Sequence, residues 1–193
     1  MLDVQDFIAT CKQCVGAPDG ARRVLDLMQS IVGDAEGIKS AIVPGESRRA
    51  VRDLTLFQSP ELFVLNAALY PHLKSPPHDH GMWAVIGIYE GQENNTFYRR
   101  SGDGLEEINR REIRGGEAVL LGPEVIHAIE NPLGSSTLGL HVYGGDIFAA
   151  KRSMWHPRTG EELPYDVPQF FKWCTELAEA PLRRLTRRWS RPA

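Results

Sequence analysis

Nowhere in the 193 residues does an apolar run approach the roughly 18 residues that a membrane-spanning helix needs, so no span is expected. The opening residues, Met1-Leu2-Asp3-Val4-Gln5-Asp6, lack the basic start of a secretory signal, and a cytoplasmic protein is therefore expected. Cysteine is scarce. Three in the chain are too few and too unevenly placed for a disulfide framework, which agrees with a reducing compartment. Neither sign of charge is in excess: 22 Lys and Arg stand against 25 Asp and Glu, a net charge of −3. That balance makes no case for nucleic acid or a membrane surface as a partner. There is no internal repeat, no low-complexity segment and no glycine motif that would cradle a nucleotide phosphate; Gly144-Gly145 reads as a turn. No exposed apolar helix face argues for an interface, so a monomer is expected.

Cys11-Lys12-Gln13-Cys14 has CxxC spacing, but a zinc site would need a second ligand pair and a redox motif would need a βαβ context. Neither is present. Val4, Phe7, Ile8, Cys11 and Val15 recur at helical spacing instead, so the cysteines read as packing residues.

With 42% apolar content, the chain has material for one core and a small appendage, and a single domain over 1–193 is expected. Residues 1–45 read as a helical cap, with helices over about Asp3 to Val15 and Ala21 to Val32, the second broken by Gly33. Residues 46–146 change to short apolar or alternating runs between turn residues. The runs are Val51 to Phe57, Leu62 to Tyr70, Trp83 to Tyr89, Asn95 to Arg99, Leu105 to Ile113, Glu117 to Leu121, Ile126 to Ile129 and Thr137 to Tyr143. Such spacing predicts an all-β jelly roll or small barrel. Residues 147–193 read as a loop rich in Gly and Pro followed by a helix from Phe170 to Trp189.

The chemistry concentrates in the histidines. In an extended strand, alternate side chains share a face, so His78 and His80 of His78-Asp79-His80 point one way and Asp79 points back. His127 follows the turn Gly122-Pro123 and would begin a second strand. Three imidazoles of this kind can hold iron, zinc, copper or nickel and leave an open face beside the ion. His141 and Tyr143 share a face of a later strand by the same spacing.

His78-x-His80 followed by Gly91, and Gly116-x5-Gly122-Pro123 leading to His127-x3-Asn131, resemble the two cupin motifs, the second shortened by one residue between its Pro and its His. The resemblance implies a cupin double-stranded β-helix. Ala84 and Val85 stand where cupins usually carry a ligating Glu, so a bound divalent ion would keep its full charge and favour an anionic ligand such as a thiolate.

From Arg48 to about Asp166 the chain is similar to the thiol dioxygenases of the cysteine dioxygenase family. The likeness rests on Pro77-His78-Asp79-His80-Gly81-Met82-Trp83, on Val85-Ile86-Gly87-Ile88-Tyr89-Glu90-Gly91, on His127 with Asn131, and on His141-Val142-Tyr143-Gly144-Gly145. Ser153-Met154-Trp155-His156-Pro157 and the stretch from Gly160 to Asp166 also look like bacterial members. The resemblance implies Fe(II) held by His78, His80 and His127, with His141 and Tyr143 as an outer-sphere catalytic pair whose tyrosine also faces the substrate. It implies insertion of both atoms of O2 into a small thiol to give a sulfinate. Gly139 replaces the serine of the family's Ser-x-His-x-Tyr relay. Arg52 matches the arginine that grips the substrate carboxylate, with Arg48 and Arg49 as rivals and Ala50 where a tyrosine is usual. Val85 occupies the place of the cysteine that cross-links to the tyrosine in some members, so no thioether is expected. Met82 and Trp83 are expected on the barrel wall by the metal, Trp155 in packing, and His156 near the site. Two other readings stand beside this one: a metal-dependent cupin enzyme acting on a substrate that is not a thiol, and a cupin that binds a metal and a small ligand without turnover.

Overall fold

The computed structural model describes residues 2–42, 55–102 and 104–179. Three helices, α1 (Val4–Cys14), α2 (Gly20–Ile31) and α3 (Ala35–Ala41), precede the strands. The Asp3 carboxylate accepts from the backbone N–H groups of Gln5 and Asp6, which starts α1. α3 escapes the periodicity argument because it buries only Ile38; the Asp34 side chain starts it by accepting from Gly37 N–H.

Ten strands follow: β1 (Thr55–Gln58), β2 (Phe63–Leu69), β3 (Ala84–Glu90), β4 (Gln92–Ser101), β5 (Gly104–Arg114), β6 (Glu117–Leu121), β7 (Ile126–Glu130), β8 (Thr137–Tyr143), β9 (Ser153–Trp155) and β10 (Glu162–Pro164). A helix α4 (Val167–Glu179) closes the described chain, its first turn capped by the Asp166 carboxylate accepting from Gln169 N–H at 2.8 Å. The part of the expected C-terminal helix after Glu179 lies outside the described residues. No helix among the described residues is long and apolar enough to cross a membrane.

All pairings are antiparallel. One sheet runs β1-β2-β8-β3-β6, a second runs β5-β4-β7, and β10 pairs with β9 in a two-stranded sheet. The segment carrying His78 continues the second sheet, because it bridges β7 at Lys74–Glu130 and His78–His127 and bridges β9 at His78–Met154. With that segment counted as a strand, the chain crosses between two facing sheets at each step from β2 to β4 and again from β5 to β9, while β1–β2, β4–β5 and β9–β10 pair within a sheet; this is the order of a double-stranded β-helix.

Side chains on β2, β3, β6 and β8 of the five-stranded sheet divide by parity, whereas in β1 a bulge puts both Leu56 and Phe57 against the helices. Phe63, Leu65, Ala84, Ile86, Ile88, Val119, Leu121 and Tyr143 belong to the cluster inside the barrel. Val64, Val85, Tyr89, Ala118, Leu138, Leu140 and Val142 pack against Phe7, Cys11, Val24, Leu25 and Met28 of the helices. With both faces covered, β3 and β8 are buried almost throughout, which is why they read as continuous apolar runs. The other sheet has a polar edge: β5 is exposed from Glu106 to Glu112, and its charges pair as Arg99–Glu106, Arg110–Glu107 and Arg114–Glu112.

The helical cap sits on β3 because Gly87 has no side chain there. A Cβ at that position would stand 2.5 Å from Met28 Cγ and 2.6 Å from Val32 Cγ1. Gly87→Ala is therefore expected to push α2 off the sheet and to cost roughly 1–3 kcal/mol, the usual range for overpacking. Urea denaturation checks this, and a variant as stable as the parent would show that α2 does not bear on β3 in this way.

The His78 segment departs from the sequence-based expectation of a regular strand. Pro76 and Pro77 have no N–H to give a ladder, so pairing survives only at isolated points. His78 N–H donates to His127 O at 2.8 Å and His127 N–H to His78 O at 2.9 Å. On the other side Asp79 N–H donates to Ser153 O at 3.1 Å, and Trp155 N–H to Pro77 O at 2.9 Å. The segment is thus stitched between β7 and β9. The three-residue strands β9 and β10 are too short to show a period.

Candidate metal centre

Three imidazoles meet inside the barrel from two directions. His78 and His80 arrive on the stitched segment, and His127 arrives on β7 directly opposite His78. Their donor atoms all lie within 4.8 Å of one another. His127 Nε2 and His80 Nε2 are 3.4 Å apart. That is about the spacing of two nitrogens bound to one ion at roughly 2.0–2.1 Å.

Neighbouring groups set which ring nitrogen carries the proton. His78 Nδ1–H donates to Pro76 O at 3.1 Å, and His127 Nδ1–H donates to Asn95 Oδ1 at 2.7 Å, so each keeps Nε2 as a free lone pair. Asp79 points away from the rings, as the alternation predicts. One of its carboxylate oxygens accepts from Ser153 N–H at 2.8 Å, and the other lies 3.7 Å from Arg100. This anchors the stitched segment to β9.

Burial keeps the rings neutral. Desolvation pushes His78 down to about 4. Desolvation, joined by repulsion from neighbouring imidazoles, holds His80 and His127 well below the usual histidine range. Neutral imidazole is the form that ligates metal. Among the described residues no carboxylate joins the cluster. At the positions where a cupin Glu is usual, Ala84 faces the interior cluster and Val85 faces the helices. Three converging neutral imidazoles with no acid among them suit a transition metal, and His78, His80 and His127 would hold it.

His141 and Tyr143 lie on the inner face of β8, with His141 Nδ1 and the Tyr143 hydroxyl 3.1 Å apart. The Tyr143 ring centroid is 5.3 Å from that of His80. Burial raises the Tyr143 hydroxyl well above its usual range and pushes His141 down to about 4, so both are neutral near pH 7. Gly139 leaves no hydroxyl beside the buried His141 Nε2, which has no partner among the described residues. A Cβ at Gly139 would stand 3.3 Å from that nitrogen but only 2.9 Å from Gly87 O. A serine there would require the sheet to give first.

Other expected site residues are distributed differently. Arg52, with Arg48, Arg49 and Ala50, lies outside the described residues. Met82 packs against the interior cluster, but Trp83 is corrected to the helix side, where the close approach of Gly144 to its ring leaves no room for a side chain. Trp155 is buried with Leu105 and Ile126, a packing role. His156 is turned away onto Trp173, with ring centroids 5.0 Å apart. Asn131 staples a turn: its Nδ2 donates to Leu69, Tyr70 and Ser135 carbonyls. Cys11 and Cys14 lie on α1 and Cys174 on α4, none of them on a barrel strand. Burial pushes the Cys11 and Cys174 thiols up to about 12, which makes them unreactive.

Residues not singled out in the sequence also belong here. Glu93 and Asn95 alternate on β4, and Asn95 touches His127. The alternating signal in the sequence marks a strand only from Asn95 to Arg99, whereas β4 begins at Gln92, which puts Glu93 and Asn95 on one face. Arg152 has its guanidinium 3.3 Å from the Tyr165 ring centroid and donates from Nε to Ile147 O at 3.1 Å. It has no carboxylate partner among the described residues. After desolvation, its charge is among the influences that disfavour protons on His78 and His80. Arg152, Tyr165, Asp79 and Gly81 line an open cleft of about 810 Å³ on the Asp79 side of the stitched segment, and none of the three imidazoles is part of its lining. On the remaining side Phe170 of α4 packs edge-on to His78, with centroids 5.1 Å apart.

No family model matches the chain. Among solved structures, a cupin superfamily protein from Desulfitobacterium hafniense is similar at 14% identity and a TM-score of 0.39, over 48% of this chain and 74% of its own. A conserved protein with a double-stranded β-helix domain from Klebsiella pneumoniae is similar at 12% identity and 0.38, over 58% and 81%. The DMSP lyase DddQ from Ruegeria pomeroyi is similar at 18% identity and 0.41, over 52% and 46%. At these scores no neighbour's substrate or reaction carries over to this chain.

Proposed function

We propose that this protein is a non-haem Fe(II) dioxygenase that converts a small carboxylate-bearing thiol, cysteine or a related mercapto-carboxylate, to its sulfinate. The observation that carries the reading is a buried face of three neutral imidazoles with no carboxylate among the described residues to join them, next to the hydrogen-bonded His141–Tyr143 pair. Fe(II) held by His78, His80 and His127 would supply neighbouring open positions for a thiolate and for O2.

The protein's own groups would do the rest. An uncharged ligand set leaves a cationic centre that attracts an anionic sulfur. Tyr143, neutral and held by His141, would offer a hydroxyl to the reacting end of the substrate. Burial of all five side chains would keep water from the reaction. The far carboxylate is assigned to a guanidinium, whose fork suits bidentate binding. Arg52 is the candidate from sequence, and Arg152, half-buried beside Tyr165 and free of a carboxylate partner among the described residues, is the second.

Oxygen uptake by anaerobically iron-loaded protein, with cysteine, 3-mercaptopropionate, mercaptosuccinate and cysteamine, tests the reading. Uptake coupled to a sulfinate product, seen by mass spectrometry, is expected with at least one carboxylate-bearing thiol. No uptake with any thiol from a fully loaded site would move the assignment to another metal-dependent chemistry or to ligand binding without turnover. With the active thiol, Arg152→Gln and Arg52→Gln are compared on that substrate and on cysteamine. The arginine that binds the carboxylate should raise KM at least tenfold for the acid and leave cysteamine nearly unaffected.

A further inference from the structure

β4 carries Glu93, Asn95 and Phe97 on alternate positions, and its register with β7 pairs Asn95 with Ile129 and Phe97 with His127. Glu93 and Asn95 are buried, with 0% and 1% exposure, in a barrel whose other inner residues are mostly apolar. Polar groups placed this deep weaken a fold unless each is satisfied. The hydrogen bonds run in one direction: His127 Nδ1–H donates to Asn95 Oδ1 at 2.7 Å, and Asn95 Nδ2–H donates to Glu93 Oε1 at 2.8 Å. The second Glu93 oxygen has no partner among the described residues.

The order of that chain carries information. An amide has a donor end and an acceptor end, so whichever group holds one end decides what the other end presents. Glu93 is the acceptor that holds the Asn95 NH2, and this turns the Asn95 carbonyl to His127. A carbonyl facing Nδ1 admits only the Nδ1–H tautomer. The lone pair then sits on Nε2, the atom that stands 3.4 Å from His80 Nε2.

We infer that Glu93 and Asn95 are positioning residues that lock His127 in its ligating tautomer, and that Glu93 is the acid of this three-histidine site, placed outside the ligand set instead of within it. The inference rests on the reading of the three imidazoles as a metal site. It gives Glu93 a reason to be buried: it ends a hydrogen-bonded chain that runs through one amide and one imidazole to the three-histidine cluster. Glu93 on β4 is also among the charges that act on Tyr143 of β8, after desolvation of that hydroxyl, although the two strands belong to different sheets.

The test uses full-length, metal-free protein labelled with 15N-histidine, and zinc(II) as the probe ion. In the parent, the His127 ring should show a protonated Nδ1 and a bare Nε2. Asn95→Leu, which keeps the volume and removes the acceptor, should shift the ring toward the Nε2–H form and weaken zinc binding about 10–100-fold, the usual scale for groups that orient a ligand. Asn95→Asp, which still accepts from Nδ1–H, should keep the parental tautomer and most of the affinity. Glu93→Gln, whose amide can turn over and release Asn95 to do the same, should give a mixture of tautomers and an intermediate affinity. An unchanged ring and zinc affinity within threefold of the parent in both Asn95→Leu and Glu93→Gln would overturn the inference. So would equal weakening by Asn95→Leu and Asn95→Asp with the ring unaltered, which would mean that the site responds to packing alone. Failure of the parent itself to bind zinc would instead refute the metal-site reading, and the ring spectra would still decide the tautomer question.

Discussion

His127→Ala is expected to leave a folded barrel that no longer retains metal. The substitution removes one of the three donors found among the described residues, the one that comes from a different part of the chain from the His78–His80 pair. Two imidazoles on the stitched segment cannot replace it, because no carboxylate lies near enough among the described residues to complete a three-donor face. Loss of an outer-sphere group at such sites typically costs about 10–100-fold in affinity, so loss of a ligand should exceed about 100-fold. Metal content after anaerobic loading and desalting measures this, with Tyr143→Phe as the contrast. That variant keeps all three donors, so its metal content should match the parent while its turnover falls, on the scale of about 100-fold usual for one positioned acid–base group. Stoichiometric metal in His127→Ala would remove His127 from the ligand set.

The metal-free protein should lose stability steeply as pH falls below about 6.5. Four histidines decide the sign: burial depresses the folded values of His78 and His141 to about 4 and those of His80 and His127 well below the usual range. Between the unfolded value, about 6.5, and the lower folded values, the unfolded chain takes up protons that the folded chain refuses. Acidification therefore favours unfolding across that window, by up to about 1.4 kcal/mol per pH unit for each such group. Glu93 acts in the opposite sense. Burial raises its carboxyl to about 7, so between its usual range and that value the folded state holds a proton the unfolded state has released, and this contribution grows as pH falls. One acid against four imidazoles leaves a net loss, enough over about one to two pH units to consume much of the roughly 5–15 kcal/mol of an ordinary domain. Urea titrations of chelator-treated protein from pH 8 to pH 5 give the measurement. Stability that is flat or rising toward pH 5 would show that the cluster is not held neutral. Added zinc at pH 7 should raise the midpoint, since an ion that binds only the folded state stabilises it by mass action.

Local pattern specifies an element where one strand or one helix turn contains the whole signal. β6 and β8 appear at their predicted bounds because β-branched and apolar residues between turn signals are sufficient to mark a strand. The same period of two placed Asp79 opposite its flanking histidines, and His141 on the same side as Tyr143. Proline broke the rule at Pro76-Pro77: the residues were right, but the segment is a stitched edge held by β7 and β9, whose carbonyls and N–H groups no local pattern announces.

The amino-acid sequence by itself determined the three histidines, the alternation of His78 and His80, the apolar residues where a cupin Glu is usual, and the all-β core, because side-chain chemistry and strand parity are properties of neighbours along the chain. Only the tertiary structure decided that His127 stands opposite His78, that Asn95 and Glu93 orient its ring, that Arg152 rather than His156 stands by the site, and that Trp83 turns to the helices. Each of these depends on the register between strands far apart in sequence, or on which face a loop is packed against. Register is set by many weak contacts summed over two sheets and a helical cap, so no single residue carries it.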